Sequence, residues 1–173
     1  MDGQTRANLA NDISALHPRV WRFCLVLTGH REVAEDLSQD TCARAIEKMH
    51  LFELGNPLDR WLMRIAYRLW LNQLRSNRAR HSDAHVSLDK FDLQDQRPDT
   101  ETSVFASELY TLVMDLPEEQ RAAVLLVYVE EYTYREAADQ LDLPMGTLVS
   151  RVSAARERIA KAAGDSDVRS DAL

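Results

Sequence analysis

Glycine and proline are scarce in this 173-residue chain, with five of each, too few for the frequent turns of a small β-sandwich or barrel. Cysteine is scarcer still. Cys24 and Cys42 do not form a C-x-x-C pair, which argues against a disulfide framework or zinc site; both fall in helical apolar patterns as small core hydrophobes. No apolar run approaches the roughly 18 residues of a membrane-spanning helix. The polar start Met1-Asp2-Gly3-Gln4 does not read as a signal peptide, so a cytoplasmic protein is expected. Positive charge is also in deficit: 21 Lys and Arg face 28 Asp and Glu, a formal net charge of −7. That disfavours coating DNA or anionic membrane by bulk electrostatics and leaves room only for local basic stripes. There is no Gly-rich phosphate loop, G-x-S-x-G elbow or H-E-x-x-H pair, so no catalytic centre, metal or cofactor is expected. His81 and His85 stand four apart but lack a third ligand, and read as polar linker residues.

What remains is helical periodicity, and the expected fold is all-α. Residues 8 to 28 place Leu9, Ile13, Leu16, Val20, Cys24 and Leu27 on one side, with Pro18 expected to restart the helix and Gly29 to end it. Residues 31 to 50 cluster Ala34, Leu37, Thr41, Ala45 and Met49 opposite an acidic face. After Gly55-Asn56-Pro57, residues 58 to 75 form a third helix with Leu62, Ile65, Ala66, Leu69 and Trp70 inward. The stretch from His81 to about Glu101 loses periodicity, carries many acids and reads as a linker. Beyond it, Phe105, Leu109, Leu112 and Val113 open a second helical unit, and Pro117-Glu118-Glu119 starts a helix with acids at its positive dipole end. The apolar run from Ala122 to Val129 suits a helix packed on several sides. Thr133 and Glu136 have capping-box spacing, and the turn Asp142-Leu143-Pro144 joins that short helix to one running from about Met145 to Ala163, making a helix-turn-helix.

Three constellations carry chemistry. Residues 60 to 80 hold six arginines and no acid; Arg60, Arg64, Arg68 and Arg75 share one helical stripe, with Arg78 and Arg80 beyond. Trp61, Tyr67 and Phe52 lie close by, so guanidinium groups for phosphates stand beside π-faces on which exposed bases can stack. The second helix of the helix-turn-helix places Thr147, Ser150 and Arg151 where base edges are read, while Arg156, Arg158 and Lys161 face phosphates. Glu32, Asp36, Gln39, Asp40 and Glu47 form an acidic face, either simply solvated or docked on a basic protein surface.

In this order, the motifs resemble those of the extracytoplasmic-function (ECF) sigma factors, the smallest promoter-specificity subunits of bacterial RNA polymerase. Ala34-Glu35-Asp36-Leu37-Ser38-Gln39-Asp40-Thr41 resembles the A-E-D-L-x-Q-[DE]-[TA] stretch of sigma region 2. The resemblance implies that Glu35, Asp36, Leu37, Gln39 and Asp40 bind the polymerase core. Trp61-Leu62-Met63-Arg64-Ile65-Ala66 resembles W-L-x-R-I-A, the start of the promoter-melting helix. Phe52 and the loop through Asn56 then occupy the place of the pocket for a flipped base, with Trp61, Arg64, Arg68, Arg75, Arg78 and Arg80 on minus-ten DNA. In the second unit, Leu116-Pro117-Glu118-Glu119-Gln120-Arg121, Tyr134-Arg135-Glu136-Ala137-Ala138 and Pro144-Met145-Gly146-Thr147-Leu148-Val149-Ser150-Arg151 resemble the motifs of sigma region 4. Thr147, Ser150, Arg151, Ser153 and Arg156 would then read the minus-thirty-five element.

The division expected is residues 1 to 80 for region 2, 81 to 103 for the linker, 104 to 164 for region 4, and 165 to 173 for a tail. The partners implied are RNA polymerase core, promoter DNA and an anti-sigma protein. A sigma-like decoy that captures an anti-sigma protein is the alternative; a helix-turn-helix repressor fits less well, because no spare apolar stripe offers a dimer interface. Four positions depart from the family pattern. Arg68 replaces a common Asn and Asn72 a common Asp, while Val149 and Ala154 replace basic residues, which lowers the number of phosphate contacts at the minus-thirty-five element. Arg68 offers up to five donors where Asn offers a donor and an acceptor. Arg68→Asn is therefore expected to change which minus-ten base is preferred in transcription from a promoter panel. A uniform change in strength with the preference intact would make Arg68 a backbone clamp.

Overall fold

Helical spacing of the apolar residues sets every element of the computed structural model, which describes residues 3–80 and 111–170, with side chains for 3–77 and 111–163. Among the described residues there is no strand, and no helix is long and apolar enough to cross a membrane. The chain divides into two compact units near Lys90.

In the first unit, α1 (Gly3–Thr28), α2 (Arg31–Lys48) and α3 (Leu58–Arg80) pack mutually. Helix α1 contributes Leu9, Ile13, Val20, Phe23, Cys24 and Leu27 to the core, α2 contributes Ala34, Leu37, Thr41 and Ala45, and α3 contributes Leu62, Met63, Ala66, Tyr67 and Trp70. The expected break at Pro18 does not occur: α1 is one helix with Pro18 inside it. Both Pro18 and Ser14, whose carbonyl loses its usual partner, are exposed, so water can satisfy that oxygen. The apolar stripe continues on both sides of the proline, and its burial outweighs one lost hydrogen bond. Gly29 ends α1 in the left-handed region at φ 79°, its N–H donating to Leu25 O at 2.8 Å. Arg31 then sits 5.8 Å over the Trp21 ring, tying the start of α2 back to α1. A short 3-10 turn, Met49–Leu51, leads into the loop before α3.

The second unit begins, within the described residues, with helical 111–114. Helix α4 (Glu118–Val124) follows Pro117 and opens with Glu118 and Glu119, where acids favour the dipole. The apolar run beyond it does not continue as one α-helix buried all round. It widens into a π turn, Leu125–Val129, closed by Glu130 N–H donating to Leu125 O at 3.0 Å. Ala122 to Leu126 are buried, whereas Tyr128 and Val129 are 53% and 64% exposed. Helix α5 (Tyr134–Gln140) starts on the expected capping box: Thr133 N–H donates to Glu136 Oε2 at 2.8 Å, and Glu136 N–H donates to Thr133 Oγ1 at 3.3 Å.

Helix α5 ends in a Schellman motif. Leu143 N–H donates to Ala138 O at 3.0 Å and Asp142 N–H to Asp139 O at 3.4 Å, with Asp142 at φ 55°. That turn aims α6 (Met145–Ser170), which buries Leu148, Val152 and Ala155; Ala155 clusters with Leu116 and Val124, and Ile159 packs beside them. Helix α6 outruns its expected end: residues 165–170, read as tail, continue it, since one glycine at 164 weakens a helix by about 1 kcal/mol without stopping it. The linker 81–103, with His81 and His85, and also Phe105 and Leu109, lie outside the described residues.

Removing the capping hydroxyl with Thr133→Ala should lower the stability of the second unit by about 1 kcal/mol. Thermal unfolding of the variant checks this, with the transition of the first unit unmoved.

Candidate nucleic-acid and polymerase interfaces

Helix α2 sorts its residues by period. Glu32, Glu35, Asp36, Gln39, Asp40 and Glu47 are all exposed, whereas Ala34, Leu37, Ser38 and Thr41 are buried. The inward polar groups are satisfied locally: Thr41 Oγ1 donates to Leu37 O at 2.7 Å, Ser38 Oγ donates to Glu35 O at 2.9 Å, and His17 Nε2 stands 3.3 Å from Ser38 Oγ. Leu37 corrects the sequence reading. It is 0% exposed, so it anchors the acidic face from beneath and cannot touch a partner itself. On the outward side Arg44 pairs with Glu47 at 3.2 Å.

The arginine helix is held at its start by Asp59, whose carboxylate meets Arg19 of α1 at 2.6 Å. Asp59 lies in the first turn, where a carboxylate also suits the dipole. Sequence reasoning missed this clamp because its partners stand forty residues apart. From that anchor, Arg60 and Arg64 are half-buried and Arg68 and Arg75 exposed. The backbone of Arg78 and Arg80 is helical, and their side chains lie outside the described set. Phe52 and Trp61 pack on one another with ring centroids 5.2 Å apart and planes at 51°, each half-buried, so each retains surface for a further π contact. Asn56 is exposed in the intervening loop, its Nδ2 donating to Glu53 Oε2 at 3.2 Å. Tyr67, expected to flank the stripe, is instead only 4% exposed and belongs to the core.

In the second unit the outward face of α6 carries Gly146, Val149, Ser150, Ser153 and Arg156, with Thr147 half-buried. Ser150 Oγ donates to Thr147 O at 2.9 Å, leaving its lone pairs outward. Arg151, expected at base edges, is turned aside: its Nη2 meets Glu119 Oε2 of α4 at 2.6 Å, and its side chain is 19% exposed. A carboxylate that close engages the guanidinium and fastens α6 to α4. In the same unit the Tyr134 phenol hydrogen-bonds Tyr128, which pushes its pKa above the usual tyrosine value, partly countered by Arg156 nearby. The acid three residues after Leu116 and the arginine six after Met145 hint at the first contact, but only the fold brings them together.

Among the described residues no group of His, Cys, Asp and Glu could hold a metal ion. Cys24 and Cys42 are free. Burial pushes the Cys24 thiol up to about 12, with the nearby Cys42 adding to the shift, and burial raises the half-buried Cys42 as well.

An all-helical pair of units, one with an acidic and an arginine helix and the other with a helix-turn-helix, has the parts of a transcription initiation factor. Residues 13–80 match the Sigma-70 region 2 family and residues 106–159 match Sigma-70, region 4. The chain is 33% identical over 152 residues to the ECF RNA polymerase sigma factor EcfG of Rhodopseudomonas palustris, covering 88% of this chain and 83% of that one. It therefore belongs to the ECF RNA polymerase sigma factors. Among solved structures, that of the sigma factor RpoE in complex with the anti-sigma factor NepR from Bartonella quintana matches with a TM-score of 0.73 at 27% identity, over 87% of this chain and 93% of that chain. The complex of the anti-anti-sigma factor PhyR with NepR, also from Bartonella quintana, shares the fold at a TM-score of 0.55 and 14% identity, over 88% of this chain and 49% of that chain.

The thiols give a direct check on the first unit. With a pKa of about 12, Cys24 is thiolate in only about one molecule in ten thousand at pH 8, so iodoacetamide should modify Cys42 first and Cys24 only on unfolding. Because the folded value lies above the ordinary 9.0, the unfolded chain binds fewer protons between the two values. Stability should accordingly fall as pH rises from 9.0 towards about 12; equal labelling of both thiols in the native protein would contradict the burial of Cys24.

Proposed function

We propose that this chain, an ECF sigma factor, acts in the cytoplasm with a division of roles between its units. The first docks the polymerase core through Glu35, Asp36, Gln39 and Asp40. It takes melted minus-ten DNA along α3 through Phe52, Asn56, Trp61, Arg64, Arg68 and Arg75, with Arg78 and Arg80 extending the basic end. The second reads the minus-thirty-five element from α6 through Thr147, Ser150, Ser153 and Arg156, with Arg151 braced by Glu119. Residues 81–103 join the two readers, and the polymerase makes the phosphodiester bonds.

One observation carries this reading. The first unit separates its charges onto two helices, with every acid of the Glu35–Asp40 motif outward on α2 and none of Arg60, Arg64, Arg68 and Arg75 buried on α3. A basic protein surface and a nucleic-acid strand can then be engaged at once without competing for the same groups. Joining two weak DNA readers on one polymerase raises the effective concentration of each at the other's element, which reconciles promoter binding with a net charge of −7.

Control by an anti-sigma protein is part of the proposal, supported by the RpoE complex with NepR. A decoy that captures such a protein is the second reading, favoured by the low charge on the outward face of α6. Transcription separates them: a sigma factor added to core polymerase starts promoter-specific transcripts, and a decoy does not. The charge-reversed pair Asp36→Lys and Asp40→Lys should lose core affinity while unfolding as the unaltered chain does, because both side chains are exposed. Undiminished retention of core polymerase in a pull-down would remove α2 from the docking surface.

A further inference from the structure

Gly146, Val149, Ser150 and Ser153 recur at i, i+3, i+4 and i+7, so they form a single strip on α6. All four are exposed, while Leu148, Val152 and Ala155 hold the opposite side in the core. The strip bears no charge. Arg151, the nearest guanidinium in these first two turns, is engaged by Glu119, and Ser150 spends its proton on Thr147 O. In the free chain, then, these two turns hold no arginine ready for guanine, the commonest specific contact in a major groove.

Gly146 has no reason within the chain. Its backbone is ordinary helix, and a Cβ added there would meet nothing within 4 Å. Alanine would suit the helix better, so the space left open by the missing side chain faces outward, towards whatever approaches the strip. Next to that space stands Val149, an apolar residue 42% exposed. In the major groove the base-edge feature that an apolar side chain recognises is the C5-methyl group of thymine.

We propose that Val149 reads a thymine of the minus-thirty-five element by packing its side chain on the base's C5-methyl, with Gly146 allowing the duplex close enough for contact. This rests on the assignment of the second unit to that element. DNA is favoured over a protein as occupant because the rest of the strip is Gly and Ser; Met145, 48% exposed and four residues before Val149, is the one large apolar side chain beside it, short of the cluster of anchors that centres a protein interface. Arg156, Arg158 and Lys161, all exposed further along α6, suit a phosphate backbone.

The test uses polymerase core loaded with the full chain. A duplex library randomised at the minus-thirty-five element first defines the preferred sequence, and each thymine in it is then replaced singly by uracil, which removes only the methyl. At one position uracil should weaken binding about four-fold. Val149→Ala should lose a comparable factor on the thymine duplex and be indifferent to uracil at that position. Gly146→Val should weaken binding to the preferred duplex, with circular dichroism confirming that both variants are folded.

If base changes in the element matter while uracil is silent everywhere, the methyl contact is refuted and the assignment of the second unit survives. If selection returns no minus-thirty-five preference from an initiating holoenzyme, the assignment itself has failed. If Val149→Ala binds every duplex as the unaltered chain does and Val149→Asp instead blocks association with an anti-sigma protein, the strip is a protein-docking face and the proposal is overturned.

Discussion

The burial of α2 against α1 and α3 is the constraint from which the first unit follows. Helix α2 carries five acids against three bases and, at 18 residues, would not hold its place by its own propensity. Ala34, Leu37, Thr41 and Ala45 supply the buried side that holds it, and the 3.6-residue period then leaves no choice about where Glu35, Asp36, Gln39 and Asp40 point. The same core receives Leu62, Met63 and Ala66 of α3, which sends the arginines to the remaining surface. Position and chemistry of both charged faces are thus by-products of one apolar contact. Asp59 adds a polar fastening to it, holding Arg19 at 2.6 Å across α1 and α3.

In the second unit a different device sets the geometry. The helix-turn-helix angle is fixed by backbone hydrogen bonds at the end of α5, with Asp142 in the left-handed region that glycine more often occupies. An aspartate tolerates that conformation better than most residues. The pair Arg151–Glu119 then ties α6 to the first turn of α4, so the exposed strip is presented by a helix braced at its turn and along its flank. In the free chain the Arg151 guanidinium thus also serves the scaffold.

Where a residue's environment depends on its own helix, the sequence was a sufficient guide. The inward set of α2, the capping box of Thr133 and Glu136, and the short turn before α6 all belong to this class, since each needs only residues within one or two turns. Misreadings arose where a second element intervenes. Pro18 looks like a break until the stripe on either side of it is buried together. Tyr67 looks like a stacking platform until it is found in the core. Leu37 shares a motif with surface acids yet lies beneath them. The pairing of Arg151 with Glu119 was hidden for the same reason, the partner being thirty-two residues away. The family resemblance supplied roles that periodicity alone leaves open, and it covered both units.

The π turn at Leu125–Val129 has a consequence for how this chain can vary in length. A turn of this kind accommodates one residue more than an α-helix needs to cover the same rise, and the surplus here lies between a buried run and two exposed side chains. Losing a single residue from the turn would let the backbone tighten to ordinary α-helix without withdrawing Ala122 to Leu126 from the core. Because the wide turn takes up that residue within a single turn, the chain beyond it would keep its phase about the helix axis. The turn is therefore a one-residue slack in the supporting helix, a place where the chain can shorten without re-aiming the helix-turn-helix mounted beyond it.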